Sequence, residues 1–294
     1  MKKISSTVLF FGTEDFSCVT LKALVEAGYH VGAVITKPDA RRGRGKGVTE
    51  PAVKTYATQH NIPVWQPGHI LDITEAIAAF EKPVGVLVSY GKILPQQIID
   101  LFSPGIINVH PSLLPSYRGP TPIESAIING DTTTGISIIR LSAAMDAGPI
   151  YHQTAHPLTG HETKPELYGT LAKKGAEALL EVLPDIVEGN LSPQPQNDSH
   201  ASYCTLLSKQ DTVVDPATLS AAQLERRIRA HIGFPKTRLP FYGNEVIITK
   251  AHTTSTPSAT TIACKDTTLL AIDQLVAPSG KTMSAEAYLR GKRL

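Results

Sequence analysis

The fold class is clearest in the stretch VGVLVSYGKILPQQIIDLFSPGIINVH, residues 84–110. Two apolar runs, Val84–Ser89 and Ile106–Val109, are rich in the valine and isoleucine that favour strands. The residues between them predict a helix over Pro95–Leu101, because proline is tolerated in a first helical turn. Strands that are apolar along their whole length are typical of parallel sheets covered by helices on both faces. The stretch therefore predicts one strand–helix–strand unit of a parallel sheet.

The same alternation extends over residues 1–189 and predicts an α/β domain with a mostly parallel sheet and crossover helices. Further strands are predicted at Thr7–Phe11, Val31–Thr36, Pro63–Trp65 and Gly135–Leu141. Further helices are predicted at Phe16–Glu26, Ala52–His60, Pro122–Ile128 and Lys164–Val187.

A second, smaller domain is predicted after a linker. Residues 190–206 contain the polar, proline-bearing stretch SPQPQNDSHAS, which is typical of a linker. In residues 207–294 a helix at Ala221–Ala230 is followed by β-like runs such as NEVIITKAH and TTLLAID. This part of the chain therefore predicts a small domain that resembles a β-barrel.

Composition narrows the class of protein. Of the 294 residues, 41% are hydrophobic and 18% are charged, which is typical of globular proteins and not of disordered ones. No run approaches the roughly 18 apolar residues of a membrane-spanning helix, so a cytoplasmic protein without a membrane partner is expected. Cys18, Cys204 and Cys264 lie too far apart for metal-ligand spacing and do not form the even set of a disulfide framework.

The first predicted strand does not lead into a nucleotide-binding motif. It ends in FFGTEDF, which has a single glycine. A dinucleotide fingerprint needs G-x-G-x-x-G at this point, and a P-loop needs G-x-x-x-x-G-K-[ST]. Neither NAD nor ATP is therefore expected.

Charge is divided unevenly along the chain. From Thr205 onward 12 Lys and Arg stand against 7 Asp and Glu, a net charge of +5, which leaves −3 for the first 204 residues. A basic C-terminal part favours association with a polyanion, although net charge does not identify the partner.

Three polar residues near predicted strand ends are candidates for catalysis. Asn108 and His110 stand two residues apart where a strand ends, so their side chains point to one face. Asp146 follows the next predicted strand, in AAMDAGPI. Because open α/β sheets bind ligands at the carboxyl ends of their strands, the three side chains are expected to meet at one edge of the sheet.

These residue types suit acyl transfer. Asn108 can donate an N–H to a carbonyl oxygen that gains negative charge, His110 can exchange a proton, and Asp146 can orient the imidazole and favour its charged form. With no Ser, Cys or metal set beside the histidine, direct attack by an amine on a bound acyl donor is favoured over a covalent acyl-enzyme. Taken singly, each residue is more commonly a turn or capping residue, and only the joint arrangement favours catalysis.

Two motifs resemble the folate-dependent formyltransferases, NVHPSLLPSYRGPTP at residues 108–122 and MDAGPI at residues 145–150. The resemblance implies that Asn108, His110 and Asp146 are catalytic and that 10-formyltetrahydrofolate is the co-substrate, without a metal. The family fold that it implies is a Rossmann-like domain followed by a C-terminal barrel of the OB type. The residues implied to bind the folate are Ser112, Leu113, Leu114 and Pro115 in the first motif and Leu87, Val88 and Tyr90 around the pterin.

Within this family the chain resembles the members that formylate initiator methionyl-tRNA. The stretch KPDARRGRGKG follows the second predicted strand, so its cations are expected at the same sheet edge as Asn108, where they could bind phosphates. In the family the pair matching Phe234 and Pro235 is usually followed by glycine, whereas this chain has Lys236, which leaves the geometry of that turn open. A monomer is expected. The residues implied to bind tRNA are Lys37, Arg41, Arg42, Arg44, Lys46, Arg229 and Lys236.

Other functions remain open at this point. Enzymes that formylate a nucleotide-linked amino sugar, and the hydrolase arm of larger formyltetrahydrofolate dehydrogenases, belong to the same family but do not need so cationic a loop. Phosphoribosylglycinamide formyltransferase is disfavoured because it lacks a second domain of this kind. A catalytically silent RNA-binding protein is the alternative from another class, and the presence of all three polar residues argues against it.

Overall fold

The computed structural model describes residues 5–42 and 47–292. Its strands are β1 (Val8–Gly12), β2 (Val31–Ile35), β3 (Ala40–Arg42), β4 (Gly47–Thr49), β5 (Val64–Trp65), β6 (Val84–Val88), β7 (Ile106–His110), β8 (Thr133–Arg140), β9 (Ile150–Pro157), β10 (Arg238–Phe241), β11 (Asn244–Thr254), β12 (Thr261–Ala263), β13 (Leu269–Val276) and β14 (Thr282–Ser284). Its α-helices are α1 (Asp15–Glu26), α2 (Ala52–Gln59), α3 (Thr74–Ala78), α4 (Gln96–Ile99), α5 (Pro122–Asn129), α6 (Lys164–Glu188), α7 (Ala221–Ala230) and α8 (Ala285–Arg290). None of the helices in the described ranges is long and apolar enough to cross a membrane.

The chain divides into two compact units. The first unit contains the described residues up to Pro120 together with Thr134–His156 and Tyr168–Tyr203. The second unit contains Thr121–Thr133, Pro157–Leu167 and the described residues from Cys204 onward. Most of the predicted linker is therefore grouped with the first unit, and α5 is grouped with the second.

The first unit is built on the predicted Rossmann-like sheet, which is confirmed. Its seven strands lie in the order β5-β2-β1-β6-β7-β8-β9. The pairs from β5 to β7 are parallel, and β8 runs antiparallel to β7. The inner strands β1, β6 and β7 are almost wholly buried, as their continuous apolar sequences predict.

The strand order reverses beside β1. The chain moves outward from β1 to β2 and β5 and then returns to β6 on the other side of β1. Just beyond the ends of these strands the Thr13 hydroxyl donates a hydrogen bond to the Tyr90 carbonyl, at 3.0 Å. The carboxyl edge at such a reversal is where open α/β sheets bind ligands.

The expected route of the chain to Asp146 was wrong. Because β8 is antiparallel, with Ser137 opposite His110 and Arg140 opposite Ile107, its carboxyl end points away from the carboxyl edge of β7. The segment after β8 then folds back, and the Arg140 N–H bonds to the Pro149 carbonyl at 2.9 Å. A returning loop, and not a parallel strand, brings Asp146 to its place.

Helix α6 packs closely behind the strand that carries Asn108 and His110. A side chain at Gly175 would lie 2.7 Å from Val109 Cγ1 and 3.4 Å from Ile136 Cδ1. Such a distance to Val109 is shorter than carbon atoms tolerate, so only glycine fits here without a shift of the neighbouring chain. The close contact supports the rear face of β7.

The second unit contains a small antiparallel sheet curled into a half-barrel, which confirms the predicted C-terminal fold. The order is β10-β11-β13-β12, with β14 paired to β13. Leu224 and Ile228 of α7 share a buried apolar cluster with Leu239, Val246 and Leu270 of the sheet. Alternate strand residues are buried, which is typical of a sheet covered on one face.

Lys236 occupies a left-handed turn in this unit. Its φ is 71°, and its N–H bonds to the His231 carbonyl at 3.0 Å. This is the backbone region that glycine adopts without steric cost. The turn is therefore formed with lysine in a conformation that favours glycine.

Helix α3 and two β features of the first unit were not predicted. Strands β3 and β4 pair as an antiparallel ribbon within the basic stretch, with Arg41 opposite Val48. Strand β9 forms one edge of the large sheet, although YHQTAHP lacks a continuous apolar run. An edge strand is only partly buried, so its sequence need not carry the apolar signature of the inner strands.

Candidate active site

The structure brings together the three polar residues proposed for catalysis. Asn108 and His110 lie on β7 and are each 5% exposed. Asn108 Nδ2 donates to Asp146 Oδ1 at 3.3 Å, and His110 Nδ1 lies 3.7 Å from Asp146 Oδ2. The asparagine amide has a second N–H to offer to a carbonyl oxygen. The arrangement is thus an amide donor, an imidazole and a carboxylate within reach of one another.

The imidazole of His110 is oriented by the main chain. Its Nε2 lies 3.0 Å from the carbonyl oxygen of Tyr117. Because a carbonyl oxygen can only accept, Nε2 must carry a hydrogen in this contact. In a neutral imidazole the basic nitrogen is then Nδ1, the one that faces the Asp146 carboxylate. The Tyr117 carbonyl therefore contacts one ring nitrogen, and the Asp146 carboxylate lies beside the other.

Asp146 is held by its backbone and by two donors. Besides the Asn108 amide, the Gly119 N–H bonds to Asp146 Oδ2 at 2.9 Å. Its φ of 48° lies in the left-handed region, and Tyr117 has a φ of 60°. Such backbone costs of order 1–3 kcal/mol per residue, and it is concentrated at functional sites. The loops that present the carboxylate and orient the imidazole are thus both strained.

Hydrogen bonds from side chains to main-chain carbonyls fix the turn that is proposed to hold folate. The Ser112 hydroxyl is buried and donates to the Ser116 carbonyl at 2.6 Å. The Ser137 hydroxyl donates to the Ser112 carbonyl at 2.7 Å, and Gln153 Nε2 donates to the Leu114 carbonyl at 2.9 Å. Leu114 is buried, whereas Leu113 and Pro115 are partly exposed. These last two can offer apolar surface to a ligand.

The residues proposed to line the pterin pocket differ in exposure. Leu87 is partly exposed, but Val88 and Tyr90 are 0% and 1% exposed. Tyr90 packs edge-on against Phe11 with ring centroids 5.6 Å apart, and burial raises the pKa of its hydroxyl to about 12. Val88 and Tyr90 are therefore almost fully enclosed by the protein, main chain included, and of the three residues only Leu87 presents surface to a ligand. Among the described residues, no three His, Cys, Asp or Glu side chains are grouped as a metal site.

The basic residues proposed to bind tRNA have different surroundings. Lys37 follows β2 and its amine lies against Gly91, just after β6. Arg41 and Arg42 belong to β3, whereas Arg44 and Lys46 lie outside the described residues. In the second unit Lys236 is exposed.

Arg229 is the most constrained of these cations. Its Nε donates to Glu225 Oε1 and its Nη1 to the Glu162 carbonyl, both at 2.6 Å. Its side chain is only 12% exposed. A phosphate would have to compete with these bonds, so the contacts of Arg229 favour a structural part.

Several residues around the site were not singled out from the sequence. Except for the charged Arg118, they make their contacts through the main chain or through neutral side chains, which carry no local signal of function. Arg118 stands in the motif at residues 108–122, but nothing in the sequence indicates that it is 2% exposed. The residues missed are Tyr117, Gly119, Ser137, Gln153, Gln196 and Arg118.

Two family models match the chain. The model described as formyl transferase matches residues 5–183, and the one described as formyl transferase, C-terminal domain, matches residues 206–293. Among curated proteins, a methionyl-tRNA formyltransferase from Halorhodospira halophila is 36% identical over 99% of this chain and 98% of its own length. A methionyl-tRNA formyltransferase from Pelobacter propionicus is 34% identical over 98% of this chain and 93% of its own length.

Solved structures share the fold at lower identity. An N-formyltransferase from Helicobacter canadensis, in complex with folinic acid and dTDP-3-aminofucose, has a TM-score of 0.71 and 17% identity over 91% of this chain and 98% of its own. HypX from Aquifex aeolicus, in complex with tetrahydrofolic acid, has a TM-score of 0.66 and 17% identity over 96% of this chain and 46% of its own. At these identities the likeness supports a common fold.

Proposed function

This chain is an enzyme of the formyl transferase family, and from that premise we propose that it transfers the formyl group of 10-formyltetrahydrofolate to the amino group of methionyl-initiator tRNA. The observation that carries the chemical part is the meeting of Asn108, His110 and Asp146 at the carboxyl edge of β7. The similarity over nearly the whole length to two methionyl-tRNA formyltransferases supports the acceptor.

The residues of the site support direct attack by the amine. His110 accepts the proton that the attacking nitrogen loses, and it does so at Nδ1 because Nε2 donates to the Tyr117 carbonyl. Asn108 donates an N–H to the formyl oxygen as that oxygen gains negative charge. Asp146, 3.7 Å from Nδ1, stabilises the positive charge that then lies on the imidazole.

The proton also completes the reaction. A carbon–nitrogen bond forms to the acceptor and the bond between the formyl carbon and the folate nitrogen breaks. His110 returns its proton to the departing nitrogen, which leaves as tetrahydrofolate. What the folate supplies is an activated formyl group, and the protein supplies a proton acceptor and an oxyanion donor on one strand.

The carboxyl edge of the first unit fits such a donor. Leu87, Leu113 and Pro115 are apolar and partly exposed, which suits a flat ring system. The proposed site lies next to the reversal of strand order. Here Ser112 keeps a structural part, because its hydroxyl is already bonded to Ser116.

The basic stretch is proposed to bind tRNA phosphates. Lys37, Arg41, Arg42, Arg44 and Lys46 follow β2, whose carboxyl end lies at the same edge as that of β7. Cations that contact phosphates release counterions, so affinity should fall steeply with salt. Lys236 in the second unit is proposed to contribute, since it is exposed.

The experiment that tests the function supplies the purified chain with 10-formyltetrahydrofolate and, separately, charged initiator tRNA or a nucleotide-linked amino sugar. Formylmethionyl-tRNA and tetrahydrofolate are expected in equal amounts. Formylation of the sugar alone would replace the tRNA acceptor, and donor turnover with neither acceptor would indicate a hydrolase.

A double variant tests the basic stretch. Arg42→Ala with Arg44→Ala should raise the KM for tRNA at least tenfold and leave the KM for the folate unchanged. The slope of the logarithm of tRNA affinity against the logarithm of salt concentration should become shallower by about one for each cation removed. Lys173→Ala with Lys174→Ala is the matched control, because it removes two neighbouring cations from α6. Equal KM values for tRNA in the two double variants would reject the proposed contact.

A further inference from the structure

Residues 194–203, expected to be part of a linker, run along both catalytic loops. The main chains of Gln194 and Ile150 exchange two hydrogen bonds of 2.8 Å. Farther along, the Arg118 N–H donates to the Ser202 carbonyl at 2.8 Å, and the Tyr117 N–H donates to the Ser202 hydroxyl at 2.9 Å. The segment therefore touches the loop that carries Asp146 and the loop whose Tyr117 carbonyl orients His110.

Gln196 joins these two loops through one side chain. Its Nε2 donates to the carbonyl oxygens of Asp146 and Gly148, each at 2.7 Å. Its Oε1 accepts from Arg118 Nε at 3.0 Å and from Arg118 Nη2 at 2.8 Å. Both amide hydrogens and the amide oxygen are thus engaged.

The chemistry of the partners requires an amide here. Arg118 can only donate and the two carbonyl oxygens can only accept, so the side chain between them must do both. A glutamate has no hydrogen to give the carbonyls, and a lysine has no oxygen to accept from the guanidinium. Arg118 is itself fixed, since it is 2% exposed and Nη2 also donates to Asp198 Oδ1 at 2.7 Å.

The contact acts on strained backbone. Asp146 has a φ of 48°, a conformation that an aspartate adopts at a cost and that persists when its surroundings enforce it. Two hydrogen bonds to carbonyls at and just after this residue can enforce it. Released from them, the loop would relax and turn the carboxylate away from Asn108 and His110.

We propose that Gln196 is a positioning residue for formyl transfer, which holds Asp146 in its left-handed conformation through the carbonyls of Asp146 and Gly148. This inference rests on the proposed function for its kinetic readout. The proposal requires no contact between Gln196 and a substrate. Its effect passes through the placement of the Asp146 carboxylate.

The kinetic test uses Gln196→Glu, which keeps the size of the side chain and its pairing with Arg118 but sets a carboxylate oxygen against two carbonyls. The expected result is a 10- to 100-fold loss in kcat, with the KM values for the folate and the acceptor within twofold of the parent. Gln194→Glu is the matched control, because Gln194 bonds through its main chain and its side chain is exposed. Equal kcat values in the two variants would overturn the proposal.

A double-mutant cycle separates positioning from general destabilisation. If Gln196 acts through Asp146, Gln196→Glu should lower kcat by less than twofold when Asp146→Asn is already present. An undiminished loss in that background would overturn the assignment. Melting temperatures of all variants within a few degrees of the parent would exclude unfolding as the cause.

A crystal structure of the Gln196→Glu variant gives an answer that does not depend on the acceptor. Asp146 is expected to leave the left-handed region, and an unchanged φ would overturn the inference. If the parent enzyme does not formylate methionyl-tRNA, the proposed function fails, and the same variants are then compared with the acceptor that is turned over. The two failures are therefore distinguishable.

Discussion

Replacing Asp146 with asparagine removes one charge and keeps the size of the side chain. The carboxylate lies 3.7 Å from His110 Nδ1, and Coulomb's law with an effective dielectric constant of about 20 gives roughly 4 kcal/mol of attraction for a charged imidazole. The imidazole is charged only after it accepts the proton, so this energy lowers the barrier and not the energy of the bound substrates. At about 1.4 kcal/mol per decade, Asp146→Asn should slow formyl transfer by roughly 1,000-fold.

A single-turnover assay measures this effect without interference from product release. Enzyme in excess over charged tRNA, with saturating 10-formyltetrahydrofolate, gives the rate of the chemical step, and KM values are expected to stay within about threefold. Asp100→Asn is the matched control, because Asp100 is exposed and accepts a hydrogen bond from Gln96 that an asparagine oxygen can also accept. This control should keep the parent rate.

The result that would refute the reasoning is a rate for Asp146→Asn within fivefold of the parent. Such a rate would mean that the carboxylate does not face a charged imidazole in the transition state. A large loss confined to KM would also refute it, since a ground-state role leaves the chemical step unchanged.

Three further changes test other parts of the structure. Asn108→Ala should lower kcat by about 100- to 1,000-fold in the same assay with little change in either KM, because it removes the oxyanion donor; a fully active variant would exclude that role. Because φ is 71° at Lys236, Lys236→Gly should leave the free energy of unfolding unchanged or raise it by up to about 1 kcal/mol, whereas Lys236→Val should lower it by more than 1 kcal/mol. Denaturant titration would measure both values, and a valine variant more stable than the glycine variant would contradict the prediction. Burial, with the charge of Arg227, lowers the pKa of His231 from 6.5 to about 4. Between these two pH values the unfolded chain therefore binds a proton that the folded chain does not. The stability present above about pH 6.5 is lost as the pH falls to about 4. In His231→Gln this loss of stability, roughly 1–3 kcal/mol, should be absent from melting curves taken across the same pH range. A variant with the same pH dependence as the parent would show that His231 is not its cause.

The parts of the fold that the sequence predicted are those in which one residue pattern has one structural solution. The apolar runs at Val84–Ser89 and Ile106–Val109 are buried on both faces, and only an inner strand of a covered sheet meets that demand. The edge strand β9 escaped prediction because its mixed sequence is compatible with a loop. The direction of β8 was also hidden, since a buried strand reads alike in either direction.

The candidate site divides in the same way. Asn108 and His110 could be placed on one face because a strand alternates its side chains. The partners that fix them could not be found, because the Tyr117 carbonyl and the Gly119 N–H are main-chain groups that every residue type carries. Gln196 lay in a stretch whose composition indicates a linker, and only its three-dimensional neighbours reveal what it touches.

The glycine at position 175 ties the hydrophobic core to the chemistry. Val109 stands between Asn108 and His110 in sequence and points to the opposite face, where α6 presses against it. Any side chain added at this point of the helix would push on the strand from behind and displace both polar groups on its front. Substitutions on the face of α6 that packs on β7 should therefore lower the turnover number as well as the stability. A screen for activity would reject some substitutions there that a screen for folding alone would accept.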